Sequence, residues 1–286
     1  MFPSETNKNQ TIMIKKIIHM ADLHIPQEIN ESRPYNAMVD KLIENVIKEI
    51  ENPEETRIVI VGDIFHNKIR TTNEAKDVFH HILNYFNKVC PTYIVAGNHD
   101  MLQNNKDRMD SITPTFGIDD VYPNITYIDK ELNYKSGLVQ DENVIFALYS
   151  MFDDFSKPEM DGLRKNNTDK RIIGLYHGDV AGSVTDMGRM SDSGIDTEWF
   201  KECDCVMAGH IHRFQEIKKN GVPIVYSGSI FQQNFGENTT GHGFVVWDLE
   251  NMTYKHVEVE NEYRMFKFSA NSYEDVDNDT EKILNL

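Results

Sequence analysis

The chain has 286 residues, of which 40% are hydrophobic and 26% are charged, and its formal net charge is −17. These proportions are typical of a globular protein that buries a full core, whereas strong unaided binding to nucleic acid usually needs a basic surface. No apolar run approaches the roughly 18 residues that span a bilayer, and residues 1–10 lack the apolar core of a secretion signal. We therefore expect a cytoplasmic protein that does not contact membranes.

The first half of the chain alternates between predicted strands and predicted helices. In chain order these are a strand at Lys16–Ala21, a helix at Pro34–Ile50, a strand at Arg57–Val61, a helix at Asn73–Val89 and a strand at Thr92–Ala96. Apolar residues recur at helical spacing in the helices, whereas the strands are short β-branched runs. This alternation predicts parallel strands with helices on the faces of the sheet. Active sites of such sheets lie beyond the carboxyl ends of the strands.

Strands dominate the second half of the chain, with few long helices between them. They are predicted at Thr126–Ile128, Asn143–Tyr149, Arg171–Tyr176, Cys205–Ala208, Phe214–Ile217, Ile224–Ser227, Phe244–Asp248 and Thr253–Val259. The two halves together predict an α/β fold, a two-layer β-sandwich flanked by helices. Its main domain would cover residues 14–259, after a polar N-terminal extension at residues 1–13. Residues 260–286 are polar and acidic, and they either begin a capping domain or form a mobile tail.

The three cysteines indicate the redox compartment of the protein. Cys90, Cys203 and Cys205 are too few for a disulfide framework. The stretch Cys203-Asp204-Cys205 has side chains that bind metals, but two reduced thiols entering a buried strand are the favoured interpretation. A reducing cytoplasm is therefore expected.

Five short polar blocks follow five of the apolar runs. They are Asp22-Leu23-His24, Gly62-Asp63-Ile64-Phe65-His66, Gly97-Asn98-His99-Asp100, His177-Gly178-Asp179 and Gly209-His210-Ile211-His212. A single Gly-Asp or Gly-His pair means little, but five such blocks in order at predicted strand ends indicate one shared site. Imidazole combined with carboxylate and amide oxygen suits manganese, iron or zinc better than calcium.

The spacing within the blocks predicts a two-metal centre. Residues two apart in an extended segment point the same way, so Asp22 and His24 can face one cleft, as can His210 and His212. Asp63 follows a glycine at a sharp turn and is the best candidate for a carboxylate that bridges two ions. Two divalent ions about 3.5–4 Å apart stabilise both the attacking and the leaving oxygen of an in-line displacement at phosphorus.

The five blocks resemble the signature of calcineurin-like metallophosphoesterases, which reads D-x-H, G-D-x-x-H, G-N-H-D, H and G-H-x-H. This resemblance covers about Ile14 to Val259. It implies one metal held by Asp22, His24, Asp63 and His212, and a second held by Asp63, Asn98, His177 and His210. It also implies that His99 protonates the leaving alkoxide, and that Asp100 orients His99 through its other ring nitrogen.

Two further features are similar to the DNA-repair nuclease branch of that superfamily. His66 stands where this branch keeps a histidine or an aspartate, and the resemblance implies that it is a catalytic residue together with His99 and Asp100. The stretch Pro223–Ile230 followed by Asn234-Phe235-Gly236-Glu237 resembles the Y-x-G-S…F-G-E segment of the SbcD-type exonuclease subunit. The resemblance implies a manganese-dependent nuclease that degrades DNA from 3′ ends and nicks it internally. It further implies a dimer that binds a coiled-coil P-loop ATPase of the SbcC type.

Two alternatives remain open from the sequence. A small-molecule or nucleotide phosphoesterase would use the same metal ligands, and the acidic charge favours it, whereas the F-G-E match favours the nuclease. A non-catalytic scaffold is expected to lose ligands, and every ligand is present. For a DNA substrate the expected phosphate contacts are Lys68, Arg70, Lys106, Arg108 and Arg189. The expected dimer surface is formed by the helices Pro34–Ile50 and Asn73–Val89.

Overall fold

A computed structural model describes residues 12–29, 34–105, 107–116, 121–154, 156–185, 188–267 and 272. Most of the predicted N-terminal extension, residues 1–13, lies outside these ranges. The same is true of the greater part of residues 260–286, for which a capping domain or a tail was predicted. The predicted phosphate contact Lys106 also lies outside them.

The described strands are β1 (Lys16–Met20), β2 (Thr56–Val61), β3 (Thr92–Val95), β4 (Ile125–Tyr127), β5 (Gly137–Asp141), β6 (Val144–Tyr149), β7 (Arg171–His177), β8 (Cys205–Gly209), β9 (Gln215–Lys219), β10 (Val222–Tyr226), β11 (Gly243–Asp248) and β12 (Thr253–Glu258). The described helices are α1 (Tyr35–Glu49), α2 (Asn73–Val89), α3 (Thr113–Phe116), α4 (Ile128–Glu131) and α5 (Leu163–Asn166), with a 3₁₀ turn at Thr197–Phe200.

The strands form two mixed sheets. One has the order β12-β11-β1-β2-β3-β4 and the other β5-β6-β7-β8-β10-β9. Strands β1 to β4 run parallel, and so do β6, β7, β8 and β10, while the remaining strands join antiparallel at the edges. The predicted fold class, a two-layer α/β sandwich flanked by helices, is confirmed.

Two differences from the predicted elements have local causes. Strand β5 was not predicted, because it is a half-exposed edge strand that begins with glycine and shows no clear alternation. It pairs with β6 through a tight turn in which Glu142 has a φ of 49°. The predicted strand Thr126–Ile128 ends at Tyr127, and Ile128 instead begins α4. The other predicted strands and both long helices lie within one or two residues of the observed bounds.

The two long helices cover the outer face of the first sheet. Helix α2 begins where the Thr72 side chain accepts a hydrogen bond from the Ala75 amide at 3.2 Å. Its buried side chains recur at helical spacing and join those of α1 in one apolar cluster with the sheet. The apolar faces of both helices therefore pack within the protein itself. Ile47 and Tyr85 are exposed on these helices, which were predicted to form the dimer surface. No helix in the described part of the chain has the length and hydropathy to span a membrane.

A second apolar cluster fills the space between the sheets. Val59 and Val61 of β2 face Leu175 of β7 and Met207 of β8 there. The three cysteines are free and buried, as expected for reduced thiols. Burial raises the pKa of the Cys203 thiol to about 12.

Asp141 joins the two sheets at the end opposite the polar blocks. Its carboxylate accepts hydrogen bonds from Arg57 of β2, where Nη2 lies at 3.2 Å, and from the Tyr93 hydroxyl of β3 at 2.7 Å. The Arg57 and Asp141 side chains are only 5% and 15% exposed. Replacing Asp141 by alanine leaves a buried guanidinium without its partner, so we expect a loss of about 3 kcal/mol in the free energy of unfolding.

Urea unfolding measures this effect, and replacement of the exposed Asp169 by alanine is the matched control. A change for Asp141→Ala no larger than that of the control would show that the two sheets do not depend on this ion pair.

Candidate metal centre

The seven predicted metal ligands lie at one edge of the sandwich, beyond the carboxyl ends of parallel strands from both sheets. Asp22 and His24 follow β1, Asp63 follows β2, Asn98 follows β3, His177 ends β7, and His210 and His212 follow β8. Three overlapping triplets of side chains bring their ligand atoms within 4.8 Å of one another: Asp22 with His24 and His212, His24 with Asp63 and His99, and Asp63 with His177 and His210. Together with Asn98, the predicted ligands form two groups.

The first group gathers around His24. Its Nε2 atom lies 2.9 Å from Nε2 of His212, 3.5 Å from Oδ2 of Asp63 and 3.9 Å from Oδ1 of Asp22. Two imidazole nitrogens and two carboxylates thus converge on the same small volume, where His24, Asp22 and Asp63 are buried.

The second group gathers around Asn98. Its Oδ1 atom lies 2.9 Å from Nδ1 of His210 and 3.2 Å from Nε2 of His177. His177 Nε2 is also 3.3 Å from Oδ1 of Asp63. Asp63 therefore presents one carboxylate oxygen to each group.

The backbone of this site is strained. Asp22, His24, Asp63 and His210 have φ angles of 55°, 45°, 54° and 98°. Non-glycine residues rarely adopt this left-handed region, and each such residue costs about 1–3 kcal/mol. Outliers of this kind cluster at functional sites, so four of them among seven candidate ligands support a functional role for this edge of the sandwich.

Hydrogen bonds join the ligand loops both within the first sheet and between the two sheets. The Asp22 amide donates to the Gly62 carbonyl at 3.0 Å, and the His210 amide donates to the Asp22 carboxylate at 2.9 Å. The sheets approach so closely here that a Cβ atom on Gly209 would lie 2.1 Å from the Val61 carbonyl oxygen. Glycine is therefore required at that position for steric reasons.

Within the site, Asp63 and His177 stabilise each other's charge. Burial alone would raise the pKa of Asp63, but the nearby His177, His24 and His99 outweigh it and lower that pKa. Burial would likewise lower the pKa of His177, yet the Asp63 carboxylate raises it to about 10. Asp63 thus keeps the negative charge that a metal ligand needs.

His99 lies beside the first group with a different partner from the one predicted. Its Nδ1 atom lies 2.7 Å from the backbone carbonyl oxygen of His66, and its ring stands edge-on to that of His24 with centroids 4.8 Å apart. The prediction that Asp100 orients His99 is wrong. The Asp100 carboxylate is buried and accepts hydrogen bonds from the amides of Ile64, Phe65 and Gly97. Asp100 therefore stabilises two of the ligand loops.

His66 approaches the site with both its backbone and its ring. Its carbonyl fixes His99, while its exposed ring lies 5.6 Å from that of His24 and 5.9 Å from that of His99, measured between centroids. His66 thus lies at the mouth of the centre, outside the two ligand groups.

Two supporting residues were not predicted from the sequence. The buried Asp129 accepts a hydrogen bond from the Ala96 amide at 2.8 Å, just before the loop that carries Asn98 and His99. Burial raises the pKa of Asp129 to about 7. Asp179 has Oδ1 3.9 Å from Nε2 of His210. Asp129 belongs to none of the five blocks and comes near the site only when the chain folds. Asp179 belongs to the His177 block, but no role was predicted for it.

A cavity of about 480 Å³ opens beside the second group. Its lining includes Asn98, His177, His210, Tyr176, Trp199 and Lys68. Lys68 Nζ lies 3.3 Å from the Asn98 carbonyl oxygen, so one predicted phosphate contact is at the site. Arg108 donates to the carbonyl of Ile69 at 3.3 Å, while Arg70 and Arg189 are exposed.

The donor set fits divalent transition metals. It consists of four imidazoles, two carboxylates and one amide oxygen, which favours manganese, iron or zinc over calcium or magnesium. Nε2 of His24 and Nε2 of His212 lie only 2.9 Å apart, so both nitrogens could bind one cation between them. The residues present are thus suited to hold metal ions.

Comparisons with known proteins agree with this geometry. Residues 15–252 match the family model described as the calcineurin-like phosphoesterase superfamily domain. The chain is 34% identical over 258 residues to an uncharacterized protein, R555, of Acanthamoeba polyphaga mimivirus, and the match covers 87% of this chain and 18% of that protein. The chain thus spans less than a fifth of that relative's length.

Two further relatives are named after an activity. A putative phosphoesterase, 244L, of Invertebrate iridescent virus 6 is 26% identical over 232 residues, which are 78% of this chain and 72% of the relative. The SbcD component of the nuclease SbcCD from Staphylococcus saprophyticus is 24% identical over 261 residues, which are 82% of this chain and 66% of the relative.

Proposed function

Since the chain belongs to the calcineurin-like phosphoesterase superfamily, we propose that it is a two-metal nuclease that cleaves DNA ends. Membership of this superfamily supports a hydrolase that acts on phosphoester bonds. The observation that carries the proposal is the convergence of the Asp63 carboxylate with both histidine groups, one oxygen toward each. Such a shared carboxylate is what a pair of ions requires.

We assign the ligands in two sets. One ion would be held by Asp22, His24, Asp63 and His212, and the other would be held by Asp63, Asn98, His177 and His210. Manganese is the metal that we expect in both positions. When bound, the ions supply positive charge for the attacking and leaving oxygens of the phosphodiester.

His99 supplies the proton that the leaving oxygen needs. The carbonyl of His66 accepts a hydrogen bond from Nδ1–H of His99, which fixes the ring and leaves Nε2 for proton transfer. The backbone amide of His99 donates to Asp63 Oδ1 at 2.8 Å. This bond joins His99, the proposed acid, to the carboxylate that faces both ligand groups. The proton donor is thereby held at a fixed position relative to the metal ligands that would bind the phosphate.

Three observations support DNA as the substrate. A nuclease component is among the relatives of the chain. Lys68 stands beside the second ligand group, where it can contact a phosphate. The aromatic ring of Phe235, two residues before Glu237, is 60% exposed and is available for stacking with an unpaired base.

The finer properties of the nuclease follow from the same resemblance. We propose degradation from 3′ ends with internal nicking, a role in DNA recombination and repair, and action with an SbcC-type coiled-coil ATPase. The net charge of −17 makes such a partner useful, because proteins that hold DNA unaided usually have a basic balance of charge. A homodimer and a cytoplasmic location complete the proposal.

An assay on end-labelled DNA tests the substrate. We expect digestion of single- and double-stranded DNA with Mn²⁺, less with Mg²⁺, and a gain when the candidate ATPase is added. Cyclic nucleotides and phosphopeptides are the comparison substrates. Faster hydrolysis of these, with intact DNA, would overturn the nuclease assignment.

A small-molecule or nucleotide phosphoesterase is the second candidate. The cavity of about 480 Å³ beside His177 and His210 favours it, because a pocket of that size encloses a drug-sized ligand. The iridescent virus relative, named a putative phosphoesterase, is compatible with either substrate class.

A further inference from the structure

Glu237 is a buried carboxylate in contact with a candidate metal ligand. Its side chain is 3% exposed, and Oε1 lies 2.8 Å from Nδ1 of His212. Asn234 Nδ2 donates to the same oxygen at 2.6 Å, and the backbone amide of Gln233 donates to Oε2 at 2.8 Å. Both carboxylate oxygens are therefore occupied by donors, and one donor is a residue of the metal centre.

The charge of Glu237 needs a cation, because an unpaired buried carboxylate is strongly disfavoured. Within the described residues, its ion-pair partner is the imidazole of His212, and no lysine or arginine lies within ion-pair distance. Among these residues, the geometry therefore pairs the Glu237 carboxylate with His212.

The contact fixes which nitrogen of His212 faces the metal centre. Since Nδ1 donates to Glu237, Nε2 is left toward Nε2 of His24, 2.9 Å away in the first ligand group. A carboxylate on the far nitrogen of a metal-binding histidine sets its tautomer and raises its basicity.

The other histidines have weaker partners. His177 has Nδ1 2.8 Å from the backbone carbonyl of Val61, and His210 has Asp179, a 37% exposed carboxylate, at 3.9 Å. Nδ1 of His24 is buried without a hydrogen-bond partner among the described residues. Among the described residues, Glu237 is thus a charged support for a histidine of the first ligand group.

We propose that Glu237 is a positioning residue that tunes His212 and thereby controls binding of the ion held by Asp22, His24, Asp63 and His212. This inference rests on the two-metal part of the proposed function and is independent of DNA as substrate. It also changes the meaning of the F-G-E segment, which the sequence linked to the substrate. The segment Gln232–Glu237 belongs to the metal centre, and Gln233 Nε2 further contacts the Leu23 carbonyl between Asp22 and His24, at 3.5 Å.

Titration of the metal-free full chain with Mn²⁺, without any substrate, tests the proposal. Calorimetry gives the two affinities, and electron paramagnetic resonance separates paired from single manganese ions. For Glu237→Gln, which keeps the shape but removes the charge, we expect one of the two affinities to fall about 10- to 100-fold. The paired signal should give way to that of a single ion at Mn²⁺ concentrations that fill both wild-type sites.

Two further variants complete the test. Glu258→Gln is the matched control, since Glu258 also accepts a backbone hydrogen bond, from Gly241 at 2.9 Å, but contacts no metal ligand. It should bind as wild type does. Glu237→Asp keeps the charge but withdraws it by one methylene, so its affinity for one ion should be intermediate. This variant decides the question if Glu237→Gln does not fold.

Wild-type affinities for both ions in the folded Glu237 variants would overturn the inference and leave the two-metal function intact. A wild-type chain that binds fewer than two Mn²⁺ ions would overturn both. Failure to cleave DNA with two ions bound would remove only the proposed substrate.

Discussion

Replacing His99 by leucine should lower DNA cleavage by about 10²- to 10⁴-fold, the usual contribution of a positioned acid, while both metals stay bound. The variant loses the ring whose Nδ1–H donates to the His66 carbonyl, but it keeps the backbone amide that donates to Asp63 at 2.8 Å. The shared carboxylate should therefore hold its place. Cleavage of end-labelled DNA and the metal content by elemental analysis are measured together.

The leaving group distinguishes loss of the acid from general damage. A diester with p-nitrophenol as leaving group needs little protonation, so its hydrolysis by His99→Leu should fall much less than that of DNA. His99→Ser should behave like the leucine variant. His81→Leu is the matched control, because His81 is exposed on α2 and pairs with Asp40 outside the site. Unchanged manganese-dependent cleavage in His99→Leu would remove His99 from its role.

Replacing Asp63 by asparagine should have the largest effect on activity and on metal content. Asparagine keeps the size and one acceptor for the His99 amide, but it cannot present two anionic oxygens to His24 and His177. We expect loss of the paired ions and a fall in activity of about 10³-fold or more, since several kcal/mol of charge stabilisation is removed.

The metal content of Asp63→Asn is measured at Mn²⁺ concentrations that saturate wild type, alongside the cleavage rate. Asp161→Asn, a change at an exposed aspartate, controls for the loss of one negative charge. Two bound ions with wild-type activity in Asp63→Asn would show that this carboxylate does not join the two sites.

Much of the fold was predictable because its elements carry local signals. Helix α2 has a threonine cap and apolar residues at helical spacing, so its bounds were predicted as observed. Strands β6 and β7 are fully or almost fully buried apolar runs, which are conspicuous in sequence. Strand β5 lacked both signals, because an edge strand that is half exposed has no apolar face to reveal it.

Within the site, contacts made by the backbone could not be predicted. Asp100 follows His99 directly, and this adjacency suggested a side-chain contact between them. Instead, the carboxylate turns inward to three amides, and the carbonyl of His66, 33 residues earlier, holds the His99 ring. Every residue carries the same carbonyl and amide groups, so their partners leave no trace in the residue types.

The sequence by itself determined which side chains are available for metal binding and that they follow the ends of strands. Ligand chemistry depends on residue type, and strand ends depend on local apolar runs, so both can be seen in a single chain. Only the tertiary structure decided that the loops of two separate sheets meet at one edge, with four ligand residues at positive φ and Gly209 against Val61. It also gave Glu237 and Asp129 their partners, because contacts between residues distant in the chain exist only after both sheets have packed.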